Sequence, residues 1–133
     1  MLKDVAKKYY QNGYNCAEAM LLAGSEYYEL GLSPETFKVM AGFGGGVNVE
    51  DLCGVISGST ALLGILFVEK RAYESEEIKE ITKSFVEGFK AEMKTINCKE
   101  LKDLYREEEG KCSSVVEAGG QVLEEIIKKH KEI

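Results

Sequence analysis

The sequence predicts an all-α fold, a single-domain helical bundle of about five to seven helices, and three observations carry that reading. Apolar residues recur at helical spacing along most of the 133 residues, no run alternates as a half-buried strand would, and the chain has one proline. Its length suits one domain, residues 1–133, able to build its own core. With 44% hydrophobic and 30% charged residues, the composition is globular and argues against disorder.

Taken in order, Leu2 to Gln11 reads as a short first helix stopped by Asn12-Gly13. A second runs from about Cys16 to Leu30, with Ala19, Met20, Ala23 and Tyr27 on one face and Gly31 as its stop. Ser33-Pro34 opens a third, serine at the N-cap and proline at the first helical position, ending near Ala41. Gly42-Phe43-Gly44-Gly45-Gly46 is the clearest irregular segment. It leads to a fourth helix, from about Leu52 to Tyr73. Ser75 with Glu76 and Glu77 starts a fifth, whose periodic residues are Ile78, Ile81, Phe85, Phe89 and Met93. A short helix after Asn97 and a last one from about Ser114 to Lys131 complete the series.

The formal charge of −6 makes a nucleic-acid backbone a poor partner and disfavours docking on anionic membranes. The longest apolar stretch, Ala61 to Val68, is too short to insert in a bilayer, and no targeting pattern precedes the first helix. A soluble, cytoplasmic protein is expected. In a reducing cytoplasm four cysteines point to thiol chemistry or metal binding rather than to a disulfide framework.

Cys16, Cys53, Cys98 and Cys112 share a local context. Asn15-Cys16-Ala17-Glu18 and Asn97-Cys98-Lys99-Glu100 each read as a capping box with the cysteine next to the N-cap. Cys53 falls in the first turn of the fourth helix, and Cys112 precedes Ser114, the expected N-cap of the last. All four thiols are thus predicted at helix N-termini, where unpaired N–H groups and a partial positive charge favour an anion. Thiols so placed can have a depressed pKa and react as thiolates. Four such positions on separate helices could converge on one cluster, while the competing reading is four small, buried, inert residues.

Cys53-Gly54-Val55-Ile56-Ser57-Gly58, preceded by Phe43-Gly44-Gly45-Gly46, resembles the redox-active family named for its C-GCAxxG-C-C cysteine pattern. Gly13-Tyr14-Asn15-Cys16-Ala17-Glu18-Ala19 is similar to the family's first cysteine segment, Ile96-Asn97-Cys98-Lys99-Glu100-Leu101 to its third, and Lys111-Cys112 to the start of its last. Val55 departs from the usual alanine without removing a ligand or nucleophile. The resemblance implies redox activity carried by the four cysteines, with no defined reaction or substrate.

Gly54 leaves room for a cofactor or another cysteine to approach the backbone. Gly44, Gly45 and Gly46 could cradle an anion as a nest of N–H groups, although no Gly-Lys-Ser/Thr follows and a tight turn is the simpler reading. Ser57, Ala61 and Gly64 read as close helix packing. His130, the single histidine, reads as a solvated tail residue, which leaves no Cys–His pair for protease chemistry. Tyr9, Tyr10, Tyr14, Tyr27 and Tyr28 read as core or subunit packing.

Three functions follow. The first is thiol/disulfide redox chemistry, an oxidoreductase activity with an unidentified redox partner, in which Cys53 is the favoured reactive thiol. The second is a Cys₄ site for a [2Fe–2S] cluster or for zinc, although close ligand pairs are missing. The third is a structural helical module, with a homodimer left open.

Overall fold

Among residues 1–131, which the computed structural model of the chain describes, the helical periodicity becomes seven α-helices and no strand. These are α1 (Leu2–Gln11), α2 (Cys16–Tyr27), α3 (Pro34–Lys38), α4 (Gly54–Phe67), α5 (Glu77–Met93), α6 (Cys98–Tyr105) and α7 (Ser113–Lys131). No helix among the described residues is long and apolar enough to cross a membrane.

Helix α4 is the most apolar and lies between α2, α5 and α7, burying Val55, Ile56, Leu62 and Leu63. Its contact with α2 is close because Gly58 leaves no Cβ between the two backbones; a Cβ there would collide with the Ala17 carbonyl. Gly64 has open space around it instead, so the expected packing role falls to Gly58. The stripe predicted for α5 buries Ile81, Phe85, Phe89 and Met93, with Ile78 packed at its edge. Each large side chain removed from water in this way contributes about 1.5–3 kcal/mol. Helix α1 packs along α7 and against α2, so residues near the start and end of the described chain meet.

Several boundaries differ from expectation for local reasons. Helix α2 stops at Tyr27, because Glu29 has a positive φ of 53° and the Leu30 amide bonds back to the Ser25 carbonyl. Helix α4 is shorter at both ends. Cys53 is its N-cap, and the chain turns extended at Val68, just before the charged run Glu69-Lys70-Arg71. Helix α7 begins at Ser113, whose hydroxyl donates to the Gly110 carbonyl at 2.6 Å, so the Ser114 capping box does not form. His130 is half-buried rather than solvated; it packs edge-on against Phe67, and its Nε2 is buried without a partner.

The segment between α3 and α4 is the least regular. Four consecutive residues, Gly45 to Asn48, have positive φ (63°, 63°, 59° and 62°), so the chain makes a left-handed turn. Left-handed backbone costs roughly 1–2 kcal/mol per non-glycine residue, and a β-branched residue such as Val47 is rarely found there. The turn is held by the Asp51 amide donating to the Gly46 carbonyl (3.0 Å), by Asn48 Nδ2 donating to the Gly42 carbonyl (3.2 Å), and by Glu50 pairing with Lys102 (3.0 Å).

Candidate cysteine site

The sequence places each cysteine at a helix start, and the structure keeps all four there. Asn15 and Glu18 form the complete capping box: Asn15 Oδ1 accepts from the Glu18 amide (2.8 Å) and Glu18 Oε1 from the Asn15 amide (2.9 Å). Cys16 is therefore the first residue of α2. At α6 only half of the box forms. Asn97 Oδ1 accepts from the Glu100 amide (3.0 Å), while the Glu100 carboxylate binds the Thr95 hydroxyl, which in turn accepts from the Asn97 amide (3.1 Å). Cys98 opens that helix. Cys53 caps α4, and the Cys112 carbonyl accepts the first helical bonds of α7 from Val115 and Val116 (both 3.0 Å).

Backbone pairing brings the second and third cysteines together. The Cys53 amide donates to the Ile96 carbonyl (2.9 Å) and the Cys98 amide to the Asp51 carbonyl (2.6 Å), making one antiparallel bridge between Leu52 and Asn97. The first cysteine reaches the same place because Gly54 has no side chain: Cys16 Sγ lies where a Cβ would project. The fourth is anchored by Tyr10, whose hydroxyl accepts from the Cys112 amide at 3.2 Å.

All four thiols consequently line one cleft of about 350 Å³. Cys53 and Cys98 are buried, only 5% and 7% exposed, whereas Cys16 and Cys112 are half-buried. No disulfide joins them. Among the described residues no group of three or more potential ligands stands close enough to hold one metal ion. A zinc site would therefore require the sulfurs to move inward.

The glycines divide by role. Gly45 lines the cleft, and its backbone acts on the Cys16 thiol to offset part of the upward push of burial. Gly44 makes room for the Asn15 side chain, and Gly46 for the Asp51 backbone and the Cys98 Cβ. With Gly54 seating Cys16, the gaps at Gly44, Gly46 and Gly54 are filled by the chain's own atoms. The left-handed turn thus touches the cysteine at each of two helix starts.

The electrostatics overturn one expectation. Burial pushes the Cys16, Cys53 and Cys98 thiols up, Cys53 to about 12. Neighbouring thiols add to the effect: Cys112 on Cys16, Cys16 and Cys98 on Cys53, Cys16 and Cys112 on Cys98. The helix-start amides of Val55 and Ile56 do pull Cys53 downward, but loss of water outweighs them. Cys112 has a different neighbour. Arg106 Nη1 donates to its sulfur at 3.7 Å.

Residue periodicity did not reveal Tyr10, Lys102, Arg106 or Lys111 as parts of the site, yet all four line the cleft. Tyr10 looked like packing, and it took the chain's long-range folding to bring α1 against the start of α7. Lys111 is adjacent to Cys112 in sequence, and that adjacency was the signal that could have placed it in the site.

A family model described as "Putative redox-active protein (C_GCAxxG_C_C)" matches residues 14–126, which include every cysteine and nearly the whole cleft. No curated protein and no solved structure matches the chain.

Proposed function

The chain belongs to the C_GCAxxG_C_C family of redox-active proteins, and on that premise we propose that its four cysteines act as one thiol–disulfide redox site with Cys112 as the entering thiol. The convergence of all four thiols on a single cleft carries this reading. Cys112 is favoured over Cys53 because it is half-buried where Cys53 is buried, and because Arg106 Nη1 donates to its sulfur at 3.7 Å. Cys16, also half-buried, is its resolving partner at the cleft mouth, with Cys53 and Cys98 the inner pair.

The exchange balances as follows. The Cys112 thiolate attacks one sulfur of a substrate disulfide, forms a mixed disulfide and expels the first substrate thiolate. The Cys16 sulfur then attacks Cys112 Sγ and releases the second. The substrate gains two electrons, the protein loses two, and the two thiol protons leave with the products. A Cys16–Cys112 bond needs Cα atoms about 4.4–6.8 Å apart.

A second reading is supported by the same cleft. Four cysteines are the ligand set of a [2Fe–2S] cluster, and Cys16, Cys53, Cys98 and Cys112 would hold one once their sulfurs moved inward; such a cluster supplies one-electron transfer when bound. Metal binding displaces thiol protons, and the nearby cations would offset the negative charge of a four-thiolate group.

Thiol counting under anaerobic conditions separates the two. Exchange predicts that an added disulfide lowers the four free thiols by two, that dithiothreitol restores them, and that Cys112→Ser stops the change. An unchanged count, together with visible absorption that bleaches with dithionite, would replace exchange by the cluster.

A further inference from the structure

The acidic chain, with its net charge of −6, has a cleft of the opposite character. Lys102, Arg106 and Lys111 line it, and none of its lining residues is Asp or Glu. The cations differ in how they are engaged. Lys102 is paired with Glu50 across the left-handed turn at 3.0 Å. Arg106 and Lys111 form no ion pair among the described residues and are exposed to solvent. The acidic run Glu107-Glu108-Glu109 sits on the turn between them without lining the cleft. Four helices also begin at this cavity, each adding the partial positive charge of its N-terminus.

Arg106 reaches the Cys112 sulfur through Nη1 alone, at 3.7 Å, and so accounts for one cation at the cleft. Lys111 is left over. Tyr10, Tyr14 and Asn15 give the same mouth further polar side chains, and the cavity, about 350 Å³, is at the small-ligand end of the usual range.

From this juxtaposition we infer that the cleft takes a small anionic disulfide, its carboxylate held by Lys111 and Arg106 and its sulfur presented to Cys112. The inference rests on the thiol–disulfide reading and names its substrate class. Exchange itself is the reaction already balanced above: the anionic disulfide is the oxidant and leaves as two thiols, and the protein keeps the Cys16–Cys112 bond. A cationic mouth on an otherwise anionic surface focuses the field on the approaching substrate and rejects cationic disulfides.

The test compares two probe disulfides on the full chain, dianionic dithiobis(nitrobenzoate) and neutral dithiodipyridine. Rates of thiolate release are read at low and high ionic strength. After normalising to a small free thiol, the protein should favour the anionic probe by roughly tenfold at low salt, as steering of this kind allows. That preference should fall several-fold in Lys111→Gln and in Arg106→Gln, and also when salt shortens the Debye length to about 3 Å. Taking the ratio of the two probes removes any general change in thiol reactivity, which matters at Arg106. A normalised ratio near one, or one unmoved by both substitutions, overturns the inference while leaving exchange intact. Failure of both probes to remove two thiols overturns exchange and the inference together.

Discussion

Cys53 has the amide donors of a helix start beside it, yet its thiol is pushed up to about 12 because burial removes more hydration than those donors return. The consequence for stability has a definite sign. The folded chain holds this proton more tightly than the unfolded chain, whose thiol has the ordinary value of about 9. The contribution is therefore complete below that ordinary value and is lost as pH rises through the folded value. Urea midpoints should fall between roughly pH 9 and 11, and less steeply in Cys53→Ala; equal slopes in the two proteins would show that Cys53 is not the group responsible. Gly54 gives a second prediction at this scale. Gly54→Ala puts a methyl where Cys16 Sγ lies, and overpacking of this kind costs about 1–3 kcal/mol. Gly42→Ala, which meets nothing within 4 Å, is its control and should change stability by about 0.5 kcal/mol or less. A parallel loss in both variants would mean that contact with Cys16 is not what matters. Residue types and spacing made the four cysteines legible as one set. They did not reveal the thiols' burial, which depends on contacts between helices, such as the Cys16 sulfur of α2 seated against Gly54 of α4.

Helix starts were the most legible elements, because Asn15 and Asn97 announce them through side chains that bond only three residues away. The two caps are unequal. Asn15 belongs to a reciprocal box and also donates to the Ala41 carbonyl (3.0 Å), whereas Asn97 accepts a single bond from its helix. Replacing an N-cap by alanine costs about 0.5–2 kcal/mol, and Asn15→Ala should lie at the high end and Asn97→Ala at the low end. Chemical denaturation tests the order, and the same experiment with iodoacetamide should find Cys16 alkylated faster once its cap is gone. The reverse ranking would mean that the Thr95–Glu100 relay matters more than the reciprocal box. Helix ends were harder to read. Glu29 and Val68 stop α2 and α4 without the glycine or proline that marks a stop in sequence. The left-handed turn was legible only as a glycine run, since nothing local explains why it continues through Val47 and Asn48. Val47→Gly relieves that conformation and should raise stability by about 0.5–1 kcal/mol, the gain reduced by the extra freedom of an unfolded glycine. Unchanged or lower stability would show that the half-exposed valine makes contacts worth more than its strain.

Across the whole molecule, the all-α bundle followed from periodicity because α5 and α7 each present one apolar stripe, and a stripe has to be covered. The cleft could not be read in that way, because its walls come from helix starts spread along the chain from Cys16 to Cys112. A Cys16–Cys112 bond would close a loop of roughly 100 residues, and cross-links of that span stabilise by about 3–5 kcal/mol unless the bond is strained. Oxidised protein should accordingly unfold at higher urea than reduced protein, and Cys16→Ser should remove the difference. The packing of α1 along α7 has a further consequence during synthesis. As the chain leaves the ribosome, Cys16, Cys53 and Cys98 all emerge before the helix that shelters the cleft exists. Helix α1 can settle on α2 early, but only when α7 has been made can it gain its second neighbour and Tyr10 accept the Cys112 amide. Until then the nascent chain carries three sulfurs in a cleft without its last wall, and the order of manufacture leaves the site waiting for the final helix.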